Sequence, residues 1–146
     1  AEAAVLVDTE SVKRSIPQRF EMQLLQAIVH HDPGEAFAVG YHQSSPDDFW
    51  VRGHVPGRPL MPGVVMVEAA AQLCAFVAET ATGKDKSQIF GFAGLEKVRF
   101  RGQVKPGDRL LIMARAERLG RMSVYATQAF VGPSLVYEGK ILGMSI

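Results

Sequence analysis

The stretch VVMVEAAAQLCAFVAETAT, residues 64–82, decides the fold of this 146-residue chain. It contains no Pro or Gly, is rich in Ala, and is followed by Gly83, a residue typical of helix ends. These features predict one helix of about 20 residues, which would be about 30 Å long. Before residue 79 only Glu68 and Gln72 are polar, and a helix that is apolar almost all round is buried.

The sequence on both sides of this helix is typical of β-structure. Before it, the turn signal DPG at residues 32–34 separates the mixed apolar residues 20–29 from the strand-like residues 36–43, which predicts a hairpin. After it, the turn sequences KPGD, LGR and GPS separate four strand-length runs, and such short turns predict a meander of antiparallel neighbours. The runs are residues 89–101, 110–118, 122–131 and 135–144. We therefore predict an α+β fold in which about six antiparallel strands wrap around a long central helix.

The composition is typical of one soluble globular domain, with 47% hydrophobic and 21% charged residues. We expect residues 1–146 to form a single domain in which residues 1–15 are loosely ordered. Cys74 is the only cysteine, which excludes an internal disulfide framework and a multi-cysteine zinc site. A single buried thiol points to a reducing compartment, so we expect a cytoplasmic protein with no membrane span.

Three features near the start of the helix could carry chemistry. His54 lies in the loop GHVPGRPLMPG, residues 53–63, whose three prolines and three glycines make it irregular but stiff. A histidine held in one place suits proton transfer at neutral pH, although an exposed loop histidine would give the same pattern.

Glu68 and Gln72 are four residues apart and therefore share one face of the helix. A carboxyl group in an apolar stretch should have a raised pKa and could donate a proton, with Gln72 fixing its orientation. The alternative is that Glu68 satisfies a neighbour in the core or faces solvent.

Gly63 opens the helix after Met61-Pro62, where backbone N–H groups have no partner within the helix. Such an N–H could hold a carbonyl oxygen as negative charge develops on it. A plain helix start at proline and glycine has the same pattern.

Two other groups of residues have side chains that could bind a partner or a metal. Lys97, Arg99, Arg101 and Lys105 could form a docking patch for an acidic partner, or a solvated strand face. His30 and His31 could in principle ligate a metal, but adjacent strand residues point to opposite faces, which argues against it.

The segment GHVPGRPLMPGVVMVEAAAQ, residues 53–72, resembles the signature of the 3-hydroxyacyl-[acyl-carrier-protein] dehydratases of type II fatty acid synthesis. Their pattern is G-H-F-P-G-x-P-x-x-P-G-V-x-x-x-E-A-x-A-Q, with His54, Gly63, Glu68 and Gln72 in register. The segment GLEKVRFRGQVKPGDRL, residues 94–110, is weaker support for the same family.

The resemblance implies the hot-dog fold and a dimer, often assembled into hexamers, in which each active site takes His from one subunit and Glu from the other. It implies removal of water from a (3R)-3-hydroxyacyl thioester on acyl carrier protein to give the trans-2-enoyl thioester. His54 would be the base at C2, Glu68 the acid at the C3 hydroxyl, Gly63 the oxyanion donor and Gln72 the orienting residue. It calls for no metal or organic cofactor, and a glutamate at position 68, where the dehydratase-isomerases carry Asp, implies the non-isomerising branch.

The chain departs from the family pattern at several positions. Val55 replaces the usual Phe, Arg58 replaces Asn, and Gln18 and Gln26 replace the His and Asp of an N-terminal segment. These departures suggest a diverged member that serves polyketide or specialised lipid synthesis. Two alternative functions stay open, a hot-dog acyl-CoA thioesterase and a non-catalytic acyl-binding paralogue.

Overall fold

The computed structural model of the chain describes residues 4–82 and 89–146. In this part, helix α1 comprises Thr9–Val12 and helix α2 comprises Gly63–Thr82. Two short 3₁₀ turns lie at Phe20–Met22 and Pro33–Glu35. The strands β1 to β6 are, in chain order, Ala27–Asp32, Phe37–Gln43, Phe90–Phe100, Arg109–Arg118, Ser123–Val131 and Ser134–Ser145.

Helix α2 lies against the sheet, as its apolar sequence predicted. Nearly all of its side chains between Val65 and Val77 are buried, and it packs mainly against β4. The segment Gly63–Ala81 is long and apolar enough to cross a bilayer, but 67% of the window that meets this test is buried within the protein. A helix covered in this way by its own sheet is a core helix.

The six strands form one antiparallel sheet in the order β1-β2-β4-β5-β6-β3. The predicted hairpin of β1 and β2 and the predicted meander of β4, β5 and β6 are confirmed. The prediction that β3 lies beside β4 was wrong, because β3 pairs with β6 at the edge of the sheet and β4 pairs with β2.

The KPGD turn explains this arrangement. It closes as predicted, with Asp108 N–H donating to Lys105 O, but it lies against the end of β2, where Ser44 N–H donates to Asp108 O. Strand β4 therefore starts beside β2. The connection from β3 crosses the start of α2, where Met61 N–H donates to the carbonyl of the buried Val104.

Part of the N-terminal segment packs against the core. Asp8 caps α1 by accepting a hydrogen bond from Ser11 N–H, and the side chains of Val12 and Ile16 are buried in the core. A strand beginning near residue 20 was also expected, but β1 begins at Ala27.

The edge strand β3 is irregular in its second half. Its pairing with β6 shifts register between Glu96 and Arg99, and Lys97 has φ of 54°. A bulge therefore interrupts the alternation of faces that a regular strand would give from Lys97 to Phe100.

Candidate active site

His54 is fixed in its loop by a reciprocal pair of hydrogen bonds with Leu60. The backbone N–H of Leu60 donates to His54 O at 2.8 Å, and His54 Nδ1 lies 2.7 Å from Leu60 O. A carbonyl can only accept, so Nδ1 carries the proton and, in the neutral ring, Nε2 has a free lone pair. The side chain is exposed, so this lone pair is accessible from outside the protomer.

Glu68 lies on the half-buried face of α2, where two amide groups contact the same carboxylate oxygen. Gln72 Nε2 donates to Glu68 Oε1 at 3.1 Å, and Gln18 Nε2 donates to it at 3.4 Å. The other oxygen, Oε2, is left for a proton or a ligand. The carboxyl is less enclosed than the apolar sequence suggested, because Glu68 is only partly buried.

Gln72 is completely buried and links α2 to the segment before β1. Its Oε1 accepts from the N–H groups of Leu24 and Leu25, each at 3.0 Å, and its Nε2 also donates to Met22 O. A strand that covered residues 20–29 would need these backbone groups for hydrogen bonds to its neighbouring strand. Because Gln72 binds them instead, β1 starts later. They also fix the amide so that its NH₂ group faces Glu68.

His42 is a supporting residue that the sequence analysis did not identify. It is 3% exposed on β2, with Nδ1 2.8 Å from Leu24 O and Nε2 2.9 Å from Asp48 Oδ2. It therefore holds the carbonyl of the same residue whose N–H binds Gln72. In the sequence, His42 stands out only as a histidine within the apolar run of β2. That position does not reveal which groups it contacts.

Gly63 is the first residue of α2, so its N–H has no partner within the helix. A Cβ at this position would lie 2.9 Å from the ring of Phe100. The absence of a side chain therefore lets β3 approach the start of α2, a packing role that the sequence analysis did not foresee.

An open groove of about 400 Å³ runs beside Glu68, between α2 and the edge strand β3. Val64 and Val67 form its helix side, and Phe92 and Leu95 form its strand side. Val64 is 74% exposed, and Phe92 and Leu95 are about half exposed. The groove is thus an apolar surface with one carboxyl group in it.

The four basic residues of the predicted docking patch do not line this groove. Lys97, Arg99, Arg101 and Lys105 are all exposed, and Arg101 forms an ion pair of 3.1 Å with Glu138.

His31 and Cys74 also lie outside the group around Glu68, and their contacts are structural. His31 Nε2 lies 3.1 Å from Thr80 Oγ1, and no group of three potential metal ligands occurs within residues 4–82 and 89–146. Cys74 is fully buried, and burial raises the pKa of its thiol, as expected for an unreactive core residue.

Comparison with known proteins gives a consistent family. The FabA-like domain family matches residues 16–140. The chain is 34% identical over 138 residues to the 3-hydroxyacyl-[acyl-carrier-protein] dehydratase FabZ of Clostridioides difficile (strain 630), covering 94% of this chain and 96% of that protein. It is 35% identical over 137 residues to FabZ of Moorella thermoacetica (strain ATCC 39073 / JCM 9320), covering 93% and 94%.

Solved structures are similar in fold at low sequence identity. The dehydratase heterocomplex ApeI:P from Xenorhabdus doucetiae superposes with a TM-score of 0.78 at 15% identity, covering 92% of this chain and 90% of that chain. A mutant thioesterase from Pseudomonas aeruginosa gives a TM-score of 0.70 at 16% identity, covering 97% and 95%. These likenesses, with one long helix against a six-stranded antiparallel sheet, establish the predicted hot-dog fold. By its family match and its curated relatives, the chain belongs to the FabA-like family, among the 3-hydroxyacyl-[acyl-carrier-protein] dehydratases.

Proposed function

We propose that the protein is a hydro-lyase that removes water from (3R)-3-hydroxyacyl thioesters on acyl carrier protein to give trans-2-enoyl thioesters. The observation that carries this proposal is Glu68, a carboxyl group held by two amides on the half-buried face of an otherwise apolar helix. The FabZ relatives, which are 3-hydroxyacyl-[acyl-carrier-protein] dehydratases, support the reaction class.

His54 is the base in this mechanism. Its Nδ1–H is bound to Leu60 O, which leaves Nε2 to remove the proton from C2 of the acyl group. The C2–H electron pair then forms the C2=C3 double bond as the C3–O bond breaks. Because one hydrogen bond holds the ring at Nδ1 and another holds the His54 backbone, little reorientation is needed before proton transfer.

Glu68 is the acid that completes the elimination. Its Oε1 accepts from Gln72 and Gln18, so the proton resides on Oε2 and passes to the departing C3 hydroxyl, which leaves as water. The two amides then solvate the carboxylate that remains. Transfer of the proton from His54 back to Glu68, directly or through water, restores the starting state.

Gly63 and Gln72 have supporting roles. The free N–H of Gly63 at the positive end of the α2 dipole suits the thioester carbonyl oxygen, which gains negative charge as the C2 proton leaves. Gln72 orients Glu68. No step in this scheme requires a metal or an organic cofactor.

A second copy of the chain completes the site in our proposal. Hot-dog proteins are typically dimeric, and here the groove beside Glu68 is apolar, open and continuous with the unpaired edge of β3. We place His54 of the partner subunit opposite Glu68 across this groove. Assembly of dimers into hexamers is a further expectation that sedimentation analysis tests.

The proposed function also implies a docking surface for acyl carrier protein and a cellular location. The exposed side chains of Lys97, Arg99, Arg101 and Lys105 are the candidate docking surface for the acidic acyl carrier protein, and salt should weaken that contact. We propose a cytoplasmic enzyme of fatty acid synthesis or a related lipid or polyketide pathway. A glutamate at position 68 is our reason to expect no isomerase activity.

The two alternatives account for fewer of the observations. A thioesterase needs a water molecule positioned at Glu68 and makes His54 less central, although its ring is held by a hydrogen bond to Leu60 O. A non-catalytic acyl-binding protein needs neither group.

The test uses 3-hydroxybutyryl-CoA and crotonyl-CoA, with enoyl absorbance and free thiol measured in the same samples. We expect a change in enoyl absorbance without thiol release. Thiol release would replace the proposal with the thioesterase. If neither enoyl absorbance nor free thiol changes, both with the CoA thioesters and with the same acyl groups on acyl carrier protein, the result would favour the binding protein.

A further inference from the structure

The first 3₁₀ turn carries three exposed side chains close to the Glu68 carboxyl. Phe20 is 90% exposed, Met22 is 44% exposed, and the exposed Glu21 lies between them in the chain. The carbonyl of Met22 accepts a hydrogen bond from Gln72 Nε2, and the same nitrogen donates to Glu68 Oε1. One side chain therefore connects this turn to Glu68.

The backbone of this turn holds the ring of Phe20 in solvent. Phe20 has φ of 58°, in the left-handed region that residues other than Gly and Asn rarely adopt. Hydrogen bonds fix this conformation, because Gln23 N–H donates to Phe20 O and Met22 N–H donates to Arg19 O. The Arg19 guanidinium also donates to three backbone carbonyls of the preceding segment at 2.8 to 2.9 Å. A strained residue that its surroundings fix in this way, with an exposed aromatic ring, indicates a contact with another molecule.

The loop that holds His54 has complementary features. Val55 is 46% exposed, and Arg58 is exposed as well. These two residues are joined by a reciprocal pair of backbone hydrogen bonds of 3.3 and 2.9 Å. From residue 49 to residue 67 the chain contains Arg52 and Arg58 but no acidic residue. The loop therefore presents an apolar side chain beside positive charge.

The proposed dimer brings this loop and the first 3₁₀ turn together. It places His54 of the partner subunit opposite Glu68, and the turn flanks Glu68. The charges are complementary, because Glu21 is acidic and the loop is basic. Within the described part of the chain, neither Glu21 nor Arg58 forms an ion pair in its own protomer. Arg58 is also one of the departures from the family pattern.

We infer that the first 3₁₀ turn is the surface that binds the loop of residues 53–63 of a second copy of this chain. Phe20 packs against Val55 of the partner subunit, and Glu21 forms an ion pair with the partner's Arg58. Two-fold symmetry repeats each contact, so a dimer contains two of each. The inference rests on the proposed function, whose shared site it uses, and adds the contacts that align the two subunits.

Charge reversal tests the ionic contact through the choice of partner. In a homodimer of Glu21→Arg both contacts join two cations, and in a homodimer of Arg58→Glu both join two carboxylates. A mixed dimer of these variants has two contacts of opposite charge and should form in preference. We expect native mass spectrometry of an equilibrated mixture at low ionic strength to show about tenfold more mixed dimer than homodimer.

The control pair is Glu35→Arg with Arg121→Glu. Both residues are exposed, and they lie in other turns, away from the proposed contact. Their mixture should therefore pair at random, which gives about one half mixed dimer.

Phe20→Asn tests the aromatic contact. Because Asn tolerates the left-handed backbone, the substitution removes the ring without disturbing the turn. We expect the dimer dissociation constant, measured by sedimentation velocity over a dilution series, to rise by about tenfold or more. Phe49→Asn is the control, since Phe49 is 50% exposed and lies outside the proposed contact, and its dissociation constant should stay at the wild-type value. Circular dichroism checks that both variants are folded.

Two results would overturn the inference while leaving the proposed reaction intact. One is random pairing of the Glu21→Arg and Arg58→Glu variants, and the other is an unchanged dissociation constant for Phe20→Asn. A wild-type protein that is monomeric yet dehydrates 3-hydroxybutyryl-CoA would remove the shared site and the inference with it. Pairing and dissociation are measured without substrate, so failure of the proposed reaction is distinguishable from failure of the contact.

Discussion

Gln72 contacts Glu68 from one turn further along α2, with Nε2 3.1 Å from Oε1, while its own Oε1 is held by two backbone N–H groups. The amide cannot rotate without leaving those N–H groups unpaired in the core. One buried glutamine therefore fixes both the path of the chain before β1 and the orientation of the Glu68 carboxyl.

Gln72→Glu separates these two roles. The new carboxylate can still accept from Leu24 and Leu25, but it cannot donate to Glu68 and places a second acidic group beside it. We expect kcat to fall by tenfold or more, because the Glu68 carboxyl would lose the contact that orients it as a general acid. We also expect a loss of about 1–3 kcal/mol in stability. Steady-state kinetics and urea unfolding measure the two effects, and unchanged kcat would contradict the orienting role.

His54→Asn retains a side-chain N–H that can reach Leu60 O but removes the base. We expect kcat to fall by about 10²–10⁴-fold with little change in melting temperature, because the loop contact is kept. His30→Asn is the matched control, since His30 is an exposed histidine on β1. Equal activity of the two variants would remove His54 from the mechanism.

His42→Leu tests the support behind Gln72. The substitution leaves Leu24 O and Asp48 without their histidine partner in a mostly buried site. We expect unfolding free energy to fall by about 2–4 kcal/mol, with a smaller fall in kcat through movement of the segment before β1. Asp48→Asn, which keeps an acceptor oxygen, should cost less. If His42→Leu is as stable as the wild type, the network does not hold this segment.

Alkaline pH should destabilise the fold through two tyrosines. Burial raises the pKa of Tyr125 and of Tyr137 to about 12, against an ordinary value of 10.0. Between these values the unfolded chain has released protons that the folded chain retains, so stability falls as pH rises from 10 to 12. Urea unfolding at pH 8 and pH 11 measures this loss. Tyr125→Phe or Tyr137→Phe should each reduce it, and an equal stability of the wild type at both pH values would contradict the assignment.

The sequence predicted the elements whose signals are local. The uninterrupted apolar run of α2 and the turn residues between strands placed the helix and five of the strands within a few residues. The place of β3 in the strand order could not be predicted in this way. The local sequence of the KPGD turn does not show whether the strand after it, β4, pairs with β3 or with another strand. Its contact with Ser44, distant in sequence, determines the neighbour of β4.

The same distinction holds for the site. The spacing of Glu68 and Gln72 on one helix face gave their contact directly. The contacts of Gln18 and His42 depend on segments separated by many residues, and the sequence marks Gln18 only as a departure from the family pattern. The late start of β1 has the same origin, since a side chain of α2 binds the backbone there.

Mixing two inactive variants tests the central claim most directly. His54→Asn and Glu68→Gln are each expected to be nearly inactive in dehydration of 3-hydroxybutyryl-CoA. If each site combines His54 of one protomer with Glu68 of the other, a mixed dimer has one intact site. Random pairing in coexpressed protein should then restore about a quarter of wild-type activity. Activity that stays at the level of the separate variants, with mixed dimers confirmed by mass spectrometry, would contradict a site shared between subunits.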